Sequence, residues 1–220
     1  MKYYKALLFG SIGSIVETSE IQRKSFNKAF KQYGLDWNWT KREYQKLLSK
    51  SGGNDRITRY AKKKKNIVNS EYLRNLKTKI FNNYLKKNHL KLRPGVKNLI
   101  SLCKKEKIQI AFVSSTSSNN INSILYSIRN SINKRDFNFI GNAKLVKKLK
   151  PNPDIYLLTL KKLKLKANDC VAIEDTQESL NSARRAKIKS IIFPGKFHSK
   201  KKFIGAYKKV NRLNKNIILK

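Results

Sequence analysis

Three polar clusters in this chain, two of them directly after an apolar run, have residue types that suit the handling of phosphate. Ser114-Ser115-Thr116-Ser117 follows Ile108–Val113, and hydroxyls with backbone N–H groups at a helix start donate readily to phosphate oxygens. Lys150-Pro151-Asn152-Pro153-Asp154 sets a lysine before a proline-fixed turn into a helix, where an ammonium can neutralise a phosphoryl group in transfer. Glu174-Asp175-Thr176 places adjacent carboxylates directly after Cys170–Ile173, a donor pair that suits a hard cation such as Mg²⁺. Each cluster also has a plainer reading as turn or helix-cap residues. That reading explains the prolines and Asp154 but leaves Lys150 without a role. Another apolar run, Leu7-Leu8-Phe9, ends in Gly10-Ser11-Ile12-Gly13-Ser14, and the first sixteen residues contain no carboxylate.

The elements that must position these clusters follow from periodicity. Residues 4–9 read as a short buried strand feeding a loop. Strands at Ile108–Val113, Phe137–Ile140, Cys170–Ile173 and Ser190–Phe193 alternate with helices at Asn120–Ile128, Pro153–Leu163 and around Glu178–Ala186. Strands alternating with helices predict a parallel sheet covered on both faces, whose ligands bind at the strands' carboxyl ends. Leu92-Arg93-Pro94-Gly95-Val96 marks a turn into a further helix with Leu99, Ile100 and Cys103 on its inner face. Phe26, Ala29, Phe30 and Tyr33 fall at helical spacing before a stop at Gly34. From Trp37 to about His89 the pattern is helical and polar, with one stripe of Tyr44, Leu47 and Leu48 and another of Tyr72, Leu76, Ile80, Phe81, Tyr84 and Leu85. The basic tail is expected to end in a strand at Asn216–Leu219.

Composition sets the partner classes. Fifty-one Lys and Arg against thirteen Asp and Glu give a formal charge of +38, which favours polyanions and implies strong self-repulsion at low salt. The rival explanation is compositional drift in a chain rich in Lys, Asn and Ile, since runs such as Lys62–Lys65 are usually solvated faces. Cys103 and Cys170 lie in separate apolar segments without metal or disulfide spacing. They are expected to be buried thiols in a reducing compartment, the cytoplasm or an organelle stroma such as that of a plastid. No segment reaches the length of a membrane span, so no membrane partner is expected. Lys2 and Lys5 before Ala6–Val16 imitate a secretory signal, but no small-x-small cleavage pattern precedes Glu17.

Taken in order, these pieces resemble the haloacid dehalogenase superfamily, and within it the group of CbbY-type sugar-phosphate phosphatases and beta-phosphoglucomutase. The resemblance spans about residues 4–195 and draws in Glu17-Thr18, Ser51-Gly52-Gly53-Asn54-Asp55-Arg56-Ile57 and Leu92-Arg93-Pro94-Gly95-Val96. Lys150-Pro151-Asn152-Pro153-Asp154-Ile155-Tyr156 and Val171-Ala172-Ile173-Glu174-Asp175-Thr176 complete it. It implies an α/β fold: a Rossmannoid parallel sheet flanked by helices, with a core of residues 1–16 and 90–220 and a helical cap inserted at about 17–89. It also implies roles. Ser114 and Ser115 would bind a phosphoryl group, Lys150 would steady it, and the cap residue Arg56 would recognise a substrate phosphate. Glu174 and Asp175 would form the magnesium end of the site.

The resemblance places Gly10 at the position of the aspartate nucleophile and Ile12 at that of the aspartate acid/base. Neither side chain can titrate or coordinate, and loss of a nucleophile that acts within a unit can cost about a million-fold in turnover. Asn54, Ser179 and Lys187 depart from the family pattern as well. The expected protein is therefore a degenerate, catalytically inactive phosphatase with a weak or vestigial Mg²⁺ site, still able to hold a phosphorylated small molecule or another anion. Two alternatives stand beside it. One is an active Mg²⁺-dependent sugar-phosphate hydrolase with an atypical site, and the other is a basic accessory protein of a nucleic-acid assembly, which charge alone supports.

Overall fold

A computed structural model describes residues 2–49 and 52–220. Its strands are β1 Ala6–Phe9, β2 Gln109–Val113, β3 Phe139–Gly141, β4 Cys170–Glu174, β5 Lys189–Ile192 and β6 Lys208–Lys209. Its helices are α1 Ser19–Gln32, α2 Lys41–Leu47, α3 Gly53–Lys64, α4 Ser70–Lys87, α5 Val96–Lys105, α6 Ser118–Ser127, α7 Asp154–Leu163 and α8 Gln177–Arg185. The chain forms two compact units, one of residues 1–17 with 89–220 and one of residues 18–88.

The first unit carries the sheet, ordered β3-β2-β1-β4-β5-β6 with every neighbouring pair parallel. Parallel neighbours need a crossover, and α6, α7 and α8 supply one between each pair of successive strands from β2 to β5. β1 lies in the middle, and its four residues are fully buried, as a strand covered on both faces must be. The chain leaves β1 toward β2 and β3 on one side and toward β4, β5 and β6 on the other. That reversal opens a crevice at the carboxyl ends of the central strands. Phe9 is level with Phe112 on one side and Ile173 on the other, so Gly10 and Glu174 emerge at one height with Ser114 just beyond Val113.

Two strands depart from the periodicity. The expected strand at Asn216–Leu219 is a 3-10 turn over Lys215–Ile217, and only Leu219 makes an isolated antiparallel bridge to Tyr3. The last strand of the sheet is instead β6, two exposed lysines with no apolar signal. The strand expected at Phe137–Ile140 is displaced to Phe139–Gly141, because Lys134–Asp136 form a capped 3-10 turn and Phe137 ends it.

The helical unit has an aromatic core. Phe26 and Phe30 of α1 pack on Trp39 with ring centroids 4.8 and 4.7 Å away, and Trp37 and Tyr60 close edge-on at 5.0 Å. α1 stops where Gly34 takes φ +84 and the Leu35 amide turns back to Phe30 O at 2.9 Å, a left-handed C-cap of the kind glycine favours. The buried row of α4 is Leu73, Lys77, Phe81 and Leu85. The expected stripe is shifted, since Tyr72 and Tyr84 are exposed; the i, i+4 row runs through a lysine that a hydrophobic count passes over. Among the described residues no helix is long and apolar enough to cross a membrane.

Candidate functional site

The carboxyl ends of β1, β2 and β4 bring together most of the residues singled out above. After β1, Ile12–Ser14 form a 3-10 turn capped by Ser11, whose Oγ accepts the Ser14 amide at 3.2 Å. The Ser14 hydroxyl donates back to Ser11 O at 2.6 Å, and Ser14 is fully buried. Both hydroxyls of this loop therefore hold the turn. Ile12 is half-buried at the start of that turn.

What fills the space at Gly10 is a buried polar cluster. Lys150 Nζ donates to Gly10 O and, at 2.7 Å, to Glu174 Oε1. The Tyr156 hydroxyl donates to the same carboxylate oxygen. The side chains of Lys150 and Glu174 are 5% and 0% exposed, so the ion pair is dry. A Cβ built on Gly10 would collide with the Glu174 carboxylate and the Tyr156 hydroxyl. Burial raises the Glu174 carboxyl above the ordinary carboxylate range against the pull of Lys150, and burial next to Glu174 holds the Tyr156 phenol well above its own. Tyr156 closes the Lys150 motif in sequence without a role of its own; its hydroxyl becomes chemical only through Glu174.

The lysine is held from behind. Its amide donates to Ser115 Oγ at 3.3 Å, Asn152 O accepts the Ser182 hydroxyl at 2.6 Å, and Pro151 O accepts Arg185 at 3.1 Å. Ser114 is buried, and its Oγ accepts the Thr116 amide at 3.2 Å. Ser117 and Thr176 serve as N-caps, accepting the amides of Asn120 and Ser179 at 3.3 Å each. The plain reading of the serine and threonine clusters thus holds for their last members. Arg56 belongs to the other unit, where its Nε donates to Leu47 O at 3.1 Å and its guanidinium lies over the Tyr44 ring. Ser51, at the head of the motif containing Arg56, lies outside the described residues.

Asp175 rests against Gly13, where any Cβ would strike its carboxylate. The loop beneath is tied by Arg93, whose Nη1 donates to Gly13 O at 2.5 Å and Phe193 O at 2.6 Å, while Nη2 donates to Pro194 O at 2.7 Å. Its guanidinium stacks 3.4 Å from the Phe193 centroid. Burial lowers the Arg93 pKa, and Asp175 and Glu17 oppose that. In sequence Arg93 passes for a turn residue, and only the three carbonyls it gathers reveal it as a brace.

These residues make a poor magnesium site. The expected ligands are Glu174 and Asp175, yet one Glu174 oxygen is already occupied by an ammonium and a phenol. Its buried Oε2 has no hydrogen-bond partner, but that and Asp175 make a set of two carboxylates. Mg²⁺ can be held by one or two carboxylates with waters, so what weakens the site is the engagement of Glu174 Oε1 by Lys150 and Tyr156.

The family profile described as haloacid dehalogenase-like hydrolase matches residues 13–193, beginning after Gly10 and Ile12. The protein CbbY of Cereibacter sphaeroides is 32% identical over 205 residues, 92% of this chain and 89% of that one. A CBBY-like protein of Arabidopsis thaliana is 32% identical over 199 residues, 85% of this chain and 62% of that one. Among solved structures, CbbY from Rhodobacter sphaeroides in complex with phosphate superposes with a TM-score of 0.86 at 30% identity, covering 95% of this chain and 94% of the other. A point variant of that protein in complex with xylulose-(1,5)bisphosphate gives 0.84 at 29% identity, with the same coverage. The chain belongs to the haloacid dehalogenase superfamily, in its CbbY-like phosphatase group.

Proposed function

We propose that this protein is a CbbY-like member that has given up phosphoryl transfer through a carboxylate nucleophile. The observation that carries the reading is the closed space at Gly10, where Glu174 and Tyr156 occupy the room a side chain would need. A phosphoaspartate mechanism needs a carboxylate there, and Ser11 and Ser14, the hydroxyls of the loop after β1, are spent on their own turn. Lys150, which would neutralise a transferring phosphoryl group, is neutralised by Glu174. A phosphate ester lodging by Ser114 and Ser115 has to compete with that carboxylate, so binding of phosphorylated ligands at this end is weak. The same geometry argues against simple repair. Gly10→Asp with Ile12→Asp restores the carboxylates in number, but the first of them collides with Glu174.

The test is a phosphate-release assay with Mg²⁺ on a panel of sugar phosphates that includes xylulose 1,5-bisphosphate. The expected result is no turnover above background in either the natural chain or the Gly10→Asp/Ile12→Asp variant. Turnover that Asp175→Asn abolishes would overturn the reading and favour the hydrolase with an atypical site.

A further inference from the structure

A second cationic concavity lies in the sheet unit, away from Lys150. It has a volume of about 900 Å³ and is bounded by Lys91 and Arg93 before α5, Lys196 after β5, Lys208 and Lys209 of β6, and Arg212 beyond it. Its lining includes one carboxylate, Glu17, and this accepts the Lys196 amide at 2.7 Å. Arg93 donates to the carbonyls of Gly13, Phe193 and Pro194 and stacks on Phe193, and Lys209 donates to the carbonyls of Ser199 and Lys201. Those contacts fix where the cations sit, and although Glu17 and Asp175 offset part of the Arg93 charge, one carboxylate stands against six cations in the lining. Like charges brought around one volume repel, and the arrangement becomes favourable when a multivalent anion enters.

We infer that this concavity is a binding site for an oligophosphate chain. Several cations around one space suit a ligand with several negative charges. The volume falls within the ~300–1,000 Å³ usual for small-ligand sites. Among the described residues no aromatic side chain lines it, so it lacks the platform on which a nucleobase stacks best, and recognition rests on phosphate. The Ser199 hydroxyl and the Asn211 and Asn214 amides add neutral donors. Lysines on an edge strand also block strand addition. That accounts for Lys208 and Lys209 but not for Lys91, Lys196 and Arg212, which come from loops converging on the same space. The inference stands independently of whether phosphoryl transfer is lost, because it uses none of the residues at Gly10, Ser114, Lys150 or Glu174.

The experiment titrates the full chain with inorganic tripolyphosphate by calorimetry, without added metal, and with ATP in a parallel arm. The expected result is one site, with ATP no tighter than tripolyphosphate. In Lys91→Gln/Lys208→Gln/Arg212→Gln, binding falls by roughly tenfold or more, because cations converging on one multivalent anion reinforce each other. In Lys62→Gln/Lys63→Gln/Lys64→Gln, which removes the same charge from α3, it falls by less than about twofold, as screened remote charges predict. Equal losses in the two variants, no loss in either, or ATP binding tenfold tighter than tripolyphosphate would each overturn the site. Lysine acetylation of the natural chain, read by mass spectrometry, gives a measurement free of folding effects. Tripolyphosphate should protect Lys91 and Lys208 and spare Lys62, and uniform protection would count against the inference.

Discussion

Lys150 of the sheet unit and Lys77 of the helical unit are each 8% exposed, yet their surroundings differ. Lys150 meets a carboxylate, a carbonyl and the face of Tyr156 at 4.7 Å. Lys77 donates to Gln22 Oε1 at 2.5 Å and lies 5.0 and 4.9 Å from the ring centroids of Phe26 and Phe81. Its charged neighbours are Arg56 and Arg74, of its own sign, and with burial as the leading cause they push its pKa down to about 7. An amine removed from water must find a counter-ion or lose its proton. The sheet unit takes the first course and the helical unit the second. The carboxyl end of the central strands is therefore held by an internal salt link, while the helical unit holds an amine whose pKa burial brings down to about 7.

The largest test of this contrast is Lys150→Met. Stranding Glu174 in a dry site should cost about 3–5 kcal/mol, and Lys150→Met/Glu174→Leu should recover most of it, because a buried pair contributes little net stability but a buried single charge is costly. Urea denaturation at pH 7 measures both. The cost of the single variant shrinks at acid pH: the folded pKa of Glu174 is raised, so the protonated carboxyl favours the fold below its unfolded value of 4.5 and that advantage fades as pH rises. If the double variant is no more stable than the single one, the link does more than neutralise charge.

Lys77 gives the next effect. Its folded pKa of about 7 lies below the 10.5 of the free side chain, so its contribution is complete above 10.5 and is lost as pH falls toward 7. Between those limits the unfolding free energy of the natural chain should rise relative to Lys77→Met by about 1.4 kcal/mol per pH unit. The comparison with Lys77→Met removes the general relief of repulsion among the other lysines. Parallel pH profiles for the two proteins would refute the neutral-amine account.

The smallest effect is at Gly10. Gly10→Ala inserts one methyl against Glu174 and Tyr156, an overpacking that should cost about 1–3 kcal/mol, read as a shift in the denaturation midpoint. In a Glu174→Ala background the same methyl should cost less. Equal costs in the two backgrounds would mean that the space at Gly10 is not closed by that carboxylate.

Much of the sheet was legible because β1, β2 and β4 are buried on both faces and read as unbroken apolar runs. β6 was not, since two lysines pair with β5 through backbone groups that every residue carries. The buried row of α4 was misread for the related reason that Lys77 counts as polar wherever it stands. At the candidate site, Gly10, Ser114, Ser115, Lys150, Glu174 and Asp175 were recognisable from type and order. Their partners were not, because Tyr156 and Arg93 act across 18 to 101 residues of sequence separation.

The sequence by itself determined the family, the parallel sheet and the absence of any carboxylate before Glu17, since each depends on residue type and order along the chain. Only the tertiary structure decided what became of the space at Gly10. A glycine can leave a vacancy or admit a neighbour, and which of these occurs depends on the distance between atoms of β1, α7 and β4. Here Glu174 and Tyr156 stand in that space, and Lys150 balances the carboxylate.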